Sequence, residues 1–397
     1  MNLRRSILAI HFSRFTDGLG SGVLLLTIPL YVVELPHTTL PFSDPIVIGI
    51  AVALYSLVSS TLQPLVGALS DRSRMRKPFI QGGFAIMGAT CLAFTLTYRA
   101  EDVLLLRTIQ GIGLGLVIPP ARALIINLSE LRSRGQSMGI SRSMRMLGLA
   151  IGPVVASILQ IRYGYTVVFY LAAAIMLLGM IPLQMWVREW PQKPALLTEN
   201  ESAKKGEGEP ILTIATVGLL MAILLVGSSF SLVLSLKDAF NARLQMSVVG
   251  FSGAFSIFTF SRLLFEIPMG RISDGIGKKT LILFGLSILA PSTLLLGLVQ
   301  TTGQLMFLRL LQGIAAAAIA GPALVLAADL SQGGGEAKQM GIIGMGFGLG
   351  IAVGPLLAGV LVSANFQVPF IVSSLITIGA IWVIYQFVPK EAIPVTG

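Results

Sequence analysis

Residues 102–122 read Asp102-Val103-Leu104-Leu105-Leu106-Arg107-Thr108-Ile109-Gln110-Gly111-Ile112-Gly113-Leu114-Gly115-Leu116-Val117-Ile118-Pro119-Pro120-Ala121-Arg122. The pattern returns at 304–322 as Gln304-Leu305-Met306-Phe307-Leu308-Arg309-Leu310-Leu311-Gln312-Gly313-Ile314-Ala315-Ala316-Ala317-Ala318-Ile319-Ala320-Gly321-Pro322. Each stretch is apolar over about the 20 residues a helix needs to cross a bilayer. Arg107 and Arg309, Gln110 and Gln312, Gly111 and Gly313, and Pro120 and Pro322 all stand 202 apart. Gly148-x-x-x-Gly152-Pro153 recurs as Gly350-x-x-x-Gly354-Pro355 at the same offset, and Gly67-x-x-x-Asp71 as Gly270-x-x-x-Asp274 at 203. A near-constant offset over several motifs indicates two related halves, an arrangement found in transporters whose solute site lies near mid-membrane between parallel repeats.

Twelve apolar runs follow from the same criterion: 6–33, 46–68, 79–98, 102–127, 138–160 and 165–187, then 211–236, 248–270, 280–300, 304–328, 339–361 and 368–388. The predicted fold class is an all-α membrane protein of two pseudo-symmetric six-helix bundles. The expected boundaries are 1–187 and 211–397, joined by a polar linker at 188–210 that contains Pro191, Pro194, Lys204, Lys205, Glu207 and Glu209. Composition agrees: 54% of the 397 residues are hydrophobic and only 12% charged. Soluble domains carry about 25% charged residues. The N-terminal run contains Arg14 and Asp17 and no small-residue cleavage site, so it reads as a retained first span rather than a signal peptide.

The net charge of +10 raises the possibility of nucleic-acid binding. The cations, however, are spread over short loops and not gathered on one face. With the N-terminus inside, seventeen fall on the cytoplasmic side: Arg4, Arg5, Arg72, Arg74, Arg76, Lys77, Arg132, Arg134, Arg188, Lys193, Lys204, Lys205, Arg271, Lys278, Lys279, Lys338 and Lys390. Four fall opposite: Arg99, Arg162, Lys237 and Arg243. This bias predicts a multi-pass protein of the cytoplasmic membrane with both termini inside. Cys91 is the only cysteine, and His11 and His37 the only histidines, so no zinc site or internal disulfide is expected. No cofactor is predicted.

Several of these motifs carry a family resemblance. Gly67-Ala68-Leu69-Ser70-Asp71-Arg72-Ser73-Arg74-Met75-Arg76-Lys77 resembles the loop 2–3 signature of the major facilitator superfamily, with Arg74 where that signature has glycine. The second copy, Gly270 to Lys279, keeps the glycine as Gly277 and has Gly275 in place of the first cation. Arg107-x-x-Gln110-Gly111-x-Gly113 resembles the fourth-helix motif. Gly139, Gly148, Gly152 and Pro153 resemble the fifth-helix motif of antiporters, whose last two glycines are replaced here by Ala156 and Ser157. The resemblance implies that Asp71, Arg72, Arg76, Lys77, Asp274 and Lys279 form a cytoplasmic latch that breaks as the protein changes its facing state. A carboxylate at Asp71 suits such a role by bonding a neighbouring helix start or pairing with Arg72 or Arg76. Gly148, Gly152, Pro153, Gly350, Gly354 and Pro355 are expected to give close, bendable contacts between the halves.

Ionised side chains inside spans are expensive and therefore mark function. Seven cations fall there: Arg14, Arg107, Arg122, Arg142, Arg145, Arg262 and Arg309. The embedded acids are chiefly Asp17 and Glu266. Arg14 and Asp17 are three apart and share a face; Arg262 and Glu266 are four apart and can pair. Asp17 is the first candidate for proton coupling and Glu266 the second, since a carboxyl screened from water can carry a proton. The arginines are candidates for solute binding or proton relay; Arg122, Arg142 and Arg145 either snorkel to the interface or line a basic site.

The leading expectation is a monomeric, proton-coupled exporter of a small amphipathic or drug-like compound. The alternative within transport is a carrier of an organic anion or lysolipid, favoured by the excess of arginines. A receptor would need an output domain, and a membrane enzyme would need a nucleophile–base pair or metal cluster. The sequence offers neither, so no enzymatic activity and no nucleic-acid partner are expected.

Overall fold

Polar backbone in lipid must be satisfied within each segment, and a helix does this at every residue. The computed structural model describes residues 3–36, 41–73, 75–129, 134–187, 213–330 and 336–389, and every regular element among them is helical. The spans are α1 (Leu3–Val32), α2 (Asp44–Ser73), α3 (Lys77–Ala93), α4 (Ala100–Leu128), α5 (134–163), α6 (165–186), α7 (Ile214–Leu244), α8 (Val248–Ile276), α9 (Lys278–Leu296), α10 (Thr302–Asp329), α11 (Glu336–Leu361) and α12 (Val368–Phe387). The expected linker at 188–210, with Arg188, Lys193, Lys204 and Lys205, lies outside the described residues, as do Arg74, Arg132 and Lys390.

Most helices overrun their predicted spans. At 30 residues, α1 and α2 are each about 45 Å long, against a hydrocarbon core of about 30 Å. Asp71, Arg72 and Asp274 consequently lie on helix, within the last turns of α2 and α8, and not in loops. The seventh span also runs beyond its expected end at 236. After a 3₁₀ segment, Leu232–Leu236, it continues as a short helix, Lys237–Leu244. Phe240 anchors that turn against the rings of Phe366 and Phe370, and Arg243 donates to the Gly297 carbonyl at 3.3 Å.

The fifth and sixth spans are separated by one residue. Gly164 has φ 78° and ψ 178°, breaking what is otherwise a continuous 53-residue helical run. Unbroken, that run would be about 80 Å long. The positive φ is the reason for glycine here, because a side chain would be strained. Gly277 (φ 90°) plays the same part between α8 and α9.

By contact, the chain falls into one unit of Met1–Gln192 with Met246–Thr259 and another of Lys193–Gln245 with Phe260–Gly397. In the first, Phe94, Phe169, Tyr31 and Tyr165 form a ring cluster, and Phe84, Met87, Val117 and Leu124 form a second core. In the second, Phe265, Met269 and Leu281 pack against Ala317 and Ala318.

The glycine motifs do something other than expected. A Cβ on Gly148 would stand 2.4 Å from the Phe15 carbonyl oxygen, and one on Gly152 2.6 Å from Gly22. Those neighbours belong to α1, so the fifth-span glycines seat α5 on α1. Likewise a Cβ on Gly350 would meet the Leu224 oxygen at 2.0 Å, and one on Gly354 the Ser228 oxygen at 2.6 Å, which seats α11 on α7. Each set closes a helix pair within its own unit. Small residues serve here because backbone-to-backbone approach leaves no room for a side chain. Gly139 has nothing within 4 Å of its would-be Cβ and takes no part.

This packing predicts that Gly350→Val lowers the thermal unfolding midpoint in detergent, consistent with about 1–3 kcal/mol or more of overpacking. Gly139→Ala should leave it unchanged or raise it, since alanine is the better helix former by about 0.5–1 kcal/mol. Similar behaviour of the two variants contradicts the assignment.

Candidate functional site

The buried charges gather around α1. Arg14 and Asp17, one turn apart, form an ion pair in which Nη1 donates to Oδ2 at 2.8 Å. Arg145 of α5 donates from Nε to the same oxygen at 2.9 Å. Asp17 is 0% exposed, and its Oδ1 has no hydrogen-bond partner among the described residues. One carboxylate thus faces two guanidiniums on one oxygen and keeps the other oxygen unused. Local sequence makes the contact possible: a Cβ on Gly18 would lie 2.0 Å from the Arg145 carbonyl oxygen. Only glycine beside Asp17 lets α5 come close enough for Arg145 to reach the carboxylate. The reading of Arg145 as a side chain snorkelling to the interface is corrected accordingly.

Two residues outside the sequence prediction join this group. Ser21, one turn beyond Asp17 on α1, shares a hydrogen bond with the hydroxyl of Tyr55 on α2 at 3.3 Å. The Tyr55 ring lies under the Arg107 guanidinium, 4.3 Å from ring centroid to Cζ. Ser21 was reachable from its i+4 spacing to Asp17. Tyr55 was not, because nothing in one sequence reports which face of α2 meets α4.

Arg107 and Arg309 hold helices together in matching ways. Arg107 donates from Nε to the Ala51 carbonyl at 3.2 Å and from Nη1 to Gln110 Oε1 at 2.6 Å, and Gln110 reaches Cys91 Sγ on α3 at 3.8 Å. Arg309 donates to the Ser229 and Phe230 carbonyls, each at 2.8 Å, and to Gln312 at 2.9 Å; Gln312 in turn reaches Thr293 Oγ1 on α9 at 3.0 Å. Cys91 and Thr293 stand 202 apart, as the arginines do. The repeat therefore preserves a three-helix clamp, one arm of which lands on α2 in the first half and on α7 in the second.

The remaining candidates are dispersed. Arg122 of α4 and Arg142 of α5 are exposed, and Arg122 lies within electrostatic reach of Arg14, Arg142 and Arg145. In the second unit Arg262 is buried with its guanidinium 4.8 Å from the Phe347 ring centroid, and Glu266 is half-buried.

At the loop motif, Asp71 pairs with Arg76 at 2.8 Å, with 65% of its side chain exposed. Arg76 also donates to the Ala123 carbonyl at 3.4 Å. Lys77 donates to the Gln184 and Val187 carbonyls at 3.2 and 2.8 Å, and Lys279 to the Tyr385 and Val388 carbonyls at 2.8 and 2.5 Å. The last cation of each copy thus caps the C-terminal carbonyls of the final helix in its own half, a placement the helix dipole favours. Lys278 pairs with Asp329 at 2.9 Å. Asp274 and Arg72 are exposed and Gly270 is half-buried.

Long apolar helices in two related sets, carrying ionised groups inside their spans, define a multi-pass membrane transporter. Residues 10–252 and 214–396 match the description Major Facilitator Superfamily, and the chain belongs to that superfamily. It is 23% identical over 382 residues to an MFS-type transporter of Methanocaldococcus jannaschii, covering 95% of this chain and 93% of that one. It is 25% identical over 388 residues to the multidrug resistance protein MdtG of Escherichia fergusonii, again covering 95% and 93%. A crystal structure of the nucleoside transporter NupG shares the fold at a TM-score of 0.76, with 14% identity over 97% of this chain and 100% of that one.

The clamp and the loop pair predict opposite sensitivities. Arg309→Ala strands two carbonyls and Gln312 and should cost about 3 kcal/mol or more. Asp71→Ala removes an exposed pair and should cost under about 1 kcal/mol. Thermal unfolding in detergent checks both, and an equal loss contradicts the assignments.

Proposed function

We propose that this protein is a proton-coupled secondary transporter that exports a small amphipathic or drug-like compound, acting as a monomer in the cytoplasmic membrane with both termini inside. The observation that carries the reading is the Asp17 carboxylate, wholly buried and held by guanidiniums from two helices. Charge-assisted bonds of this kind are the strong ones in a dry interior, and they exist only while the carboxyl is ionised. A proton arriving on Asp17 at Oδ1, which has no hydrogen-bond partner among the described residues, removes the charge that holds Arg145 of α5 to α1. Losing the proton restores it. Proton occupancy and helix contact are thereby linked, which is what coupling requires.

Export of drug-like cargo is supported by the multidrug resistance relative named above, similar along nearly its whole length. The charge bias of the short loops supports the orientation. The polar segment 188–210 then serves as a cytoplasmic linker between two six-helix halves, and the exposed Asp71–Arg76 pair, weak enough to break, as part of a latch that opens with the change of facing state.

Proteoliposomes with an imposed pH gradient and a panel of amphipathic dyes test the proposal. Uphill movement of at least one dye is expected, collapsing with a protonophore. Asp17→Asn should insert normally and lose gradient-driven transport. Uptake that ignores the gradient removes proton coupling, and normal activity of Asp17→Asn reduces that residue to a structural tie.

A further inference from the structure

One turn beyond Asp17 stands a hydroxyl that bonds unlike its neighbours. On α1, Ser13 and Thr27 donate to the carbonyls four residues back, those of Ala9 and Val23. That is a common use of a hydroxyl inside a helix. Ser21 makes no such bond. Its one hydrogen bond among the described residues is with the Tyr55 hydroxyl of α2, at 3.3 Å, and either oxygen can be the donor. The Arg107 guanidinium lies 4.3 Å from the Tyr55 ring centroid and holds the ring, so the hydroxyl hydrogen is the part left to turn.

The pair lies on the open side of the carboxylate. Oδ2 takes both guanidiniums, while Oδ1 has no hydrogen-bond partner among the described residues. Helical side chains lean toward the helix N-terminus, and residues four apart have Cβ atoms about 5–6 Å apart. Ser21 therefore leans back over the turn that carries Asp17. Asp17 itself is sealed, whereas Ser21 and Tyr55 are half-buried. A proton approaching along α1 meets a cation, Arg14, from one side of Asp17 and hydroxyls from the other.

The duplicated half drops all three groups together. The glycine contacts align Gly18 with Gly227 and Gly148 with Gly350, which matches Asp17 to Val226 and Ser21 to Phe230. The 203-residue offset of the Gly67 and Gly270 motifs matches Tyr55 to Phe258. Where the acid is missing, both hydroxyls are missing too, although the arginine clamp is kept.

We propose that the Ser21 and Tyr55 hydroxyls form the route by which protons reach and leave Asp17. The inference rests on the proton-coupling reading above and supplies its path. In uptake, Ser21 gives its hydrogen to Oδ1, Tyr55 gives its hydrogen to the Ser21 oxygen, and a hydronium ion replaces the one that Tyr55 has lost. Each hydroxyl oxygen breaks one O–H bond and forms another, and the carboxylate gains one proton. Both hydroxyls then turn back, and release runs the chain in reverse.

Time-resolved infrared spectroscopy of the full-length protein in proteoliposomes, after a rapid drop in pH, tests the route through the rise of the protonated-carboxyl band that Asp17→Asn lacks. Tyr55→Phe keeps the ring under Arg107 and removes only the hydroxyl. The rise should slow about tenfold or more in Tyr55→Phe and in Ser21→Ala, with the final amplitude and the thermal unfolding midpoint kept. Ser21→Thr, which restores a hydroxyl, should recover the rate. A rise that is as fast in both hydroxyl-deleted variants as in the wild type overturns the route and leaves proton coupling at Asp17 standing. Slowing that comes with a lowered midpoint and is not relieved by Ser21→Thr also overturns it, since that is the mark of a structural tie. A wild type with no band assignable to Asp17 overturns both the route and the coupling reading.

Discussion

A carboxylate taken out of water must carry its counter-charges with it, and Asp17 does so with Arg14 from its own helix and Arg145 from α5. The rest of the first unit is arranged to permit that contact. Gly18 brings the α5 backbone against α1 at the level of the carboxylate, and Gly22, Gly148 and Gly152 keep the two helices close for two further turns. Tyr55 and Ser21 extend the polar group to α2, and Tyr55 carries the Arg107 clamp on its ring face. The contacts that start at this carboxylate thus join four helices, α1, α2, α4 and α5.

The second unit repeats the framework without the ion pair. Gly350 and Gly354 seat α11 on α7 as Gly148 and Gly152 seat α5 on α1, and Arg309 with Gln312 clamps as Arg107 with Gln110 does. Gly227 meets the Phe347 carbonyl as Gly18 meets that of Arg145, so the residue matching Asp17 is Val226, which is not acidic. The duplicated residues are therefore those that hold the architecture, and the residues found in one half alone are the better candidates for chemistry. By that criterion Asp17, Arg122, Arg142 and Arg145 stand apart from Arg107, whose partner Arg309 shares its structural contacts.

The helices and their duplication were legible in the sequence because lipid imposes a length and an apolar composition that one chain reports directly. So was the Arg14–Asp17 pair, since residues three apart on a helix share a face. What one sequence does not report is helix rotation. Arg145 reaches Asp17, Tyr55 supports Arg107, and the fifth-span glycines face α1; each depends on which side of one helix meets another. Helix ends were the other gap. Lys77 and Lys279 read as loop charges, yet they cap helices more than a hundred residues further along the chain. Gly164 went unremarked because a single positive φ leaves no composition signal.

Central to this account is a carboxyl that changes its protonation state as the protein works. Infrared difference spectroscopy of the reconstituted protein, comparing high and low pH, reads the carboxyl stretch directly. A protonated-carboxyl band is expected at low pH in the wild type, absent in Asp17→Asn and accompanied by a change in the guanidinium bands. A carboxylate that stays ionised at Asp17 across the range in which transport occurs would contradict it.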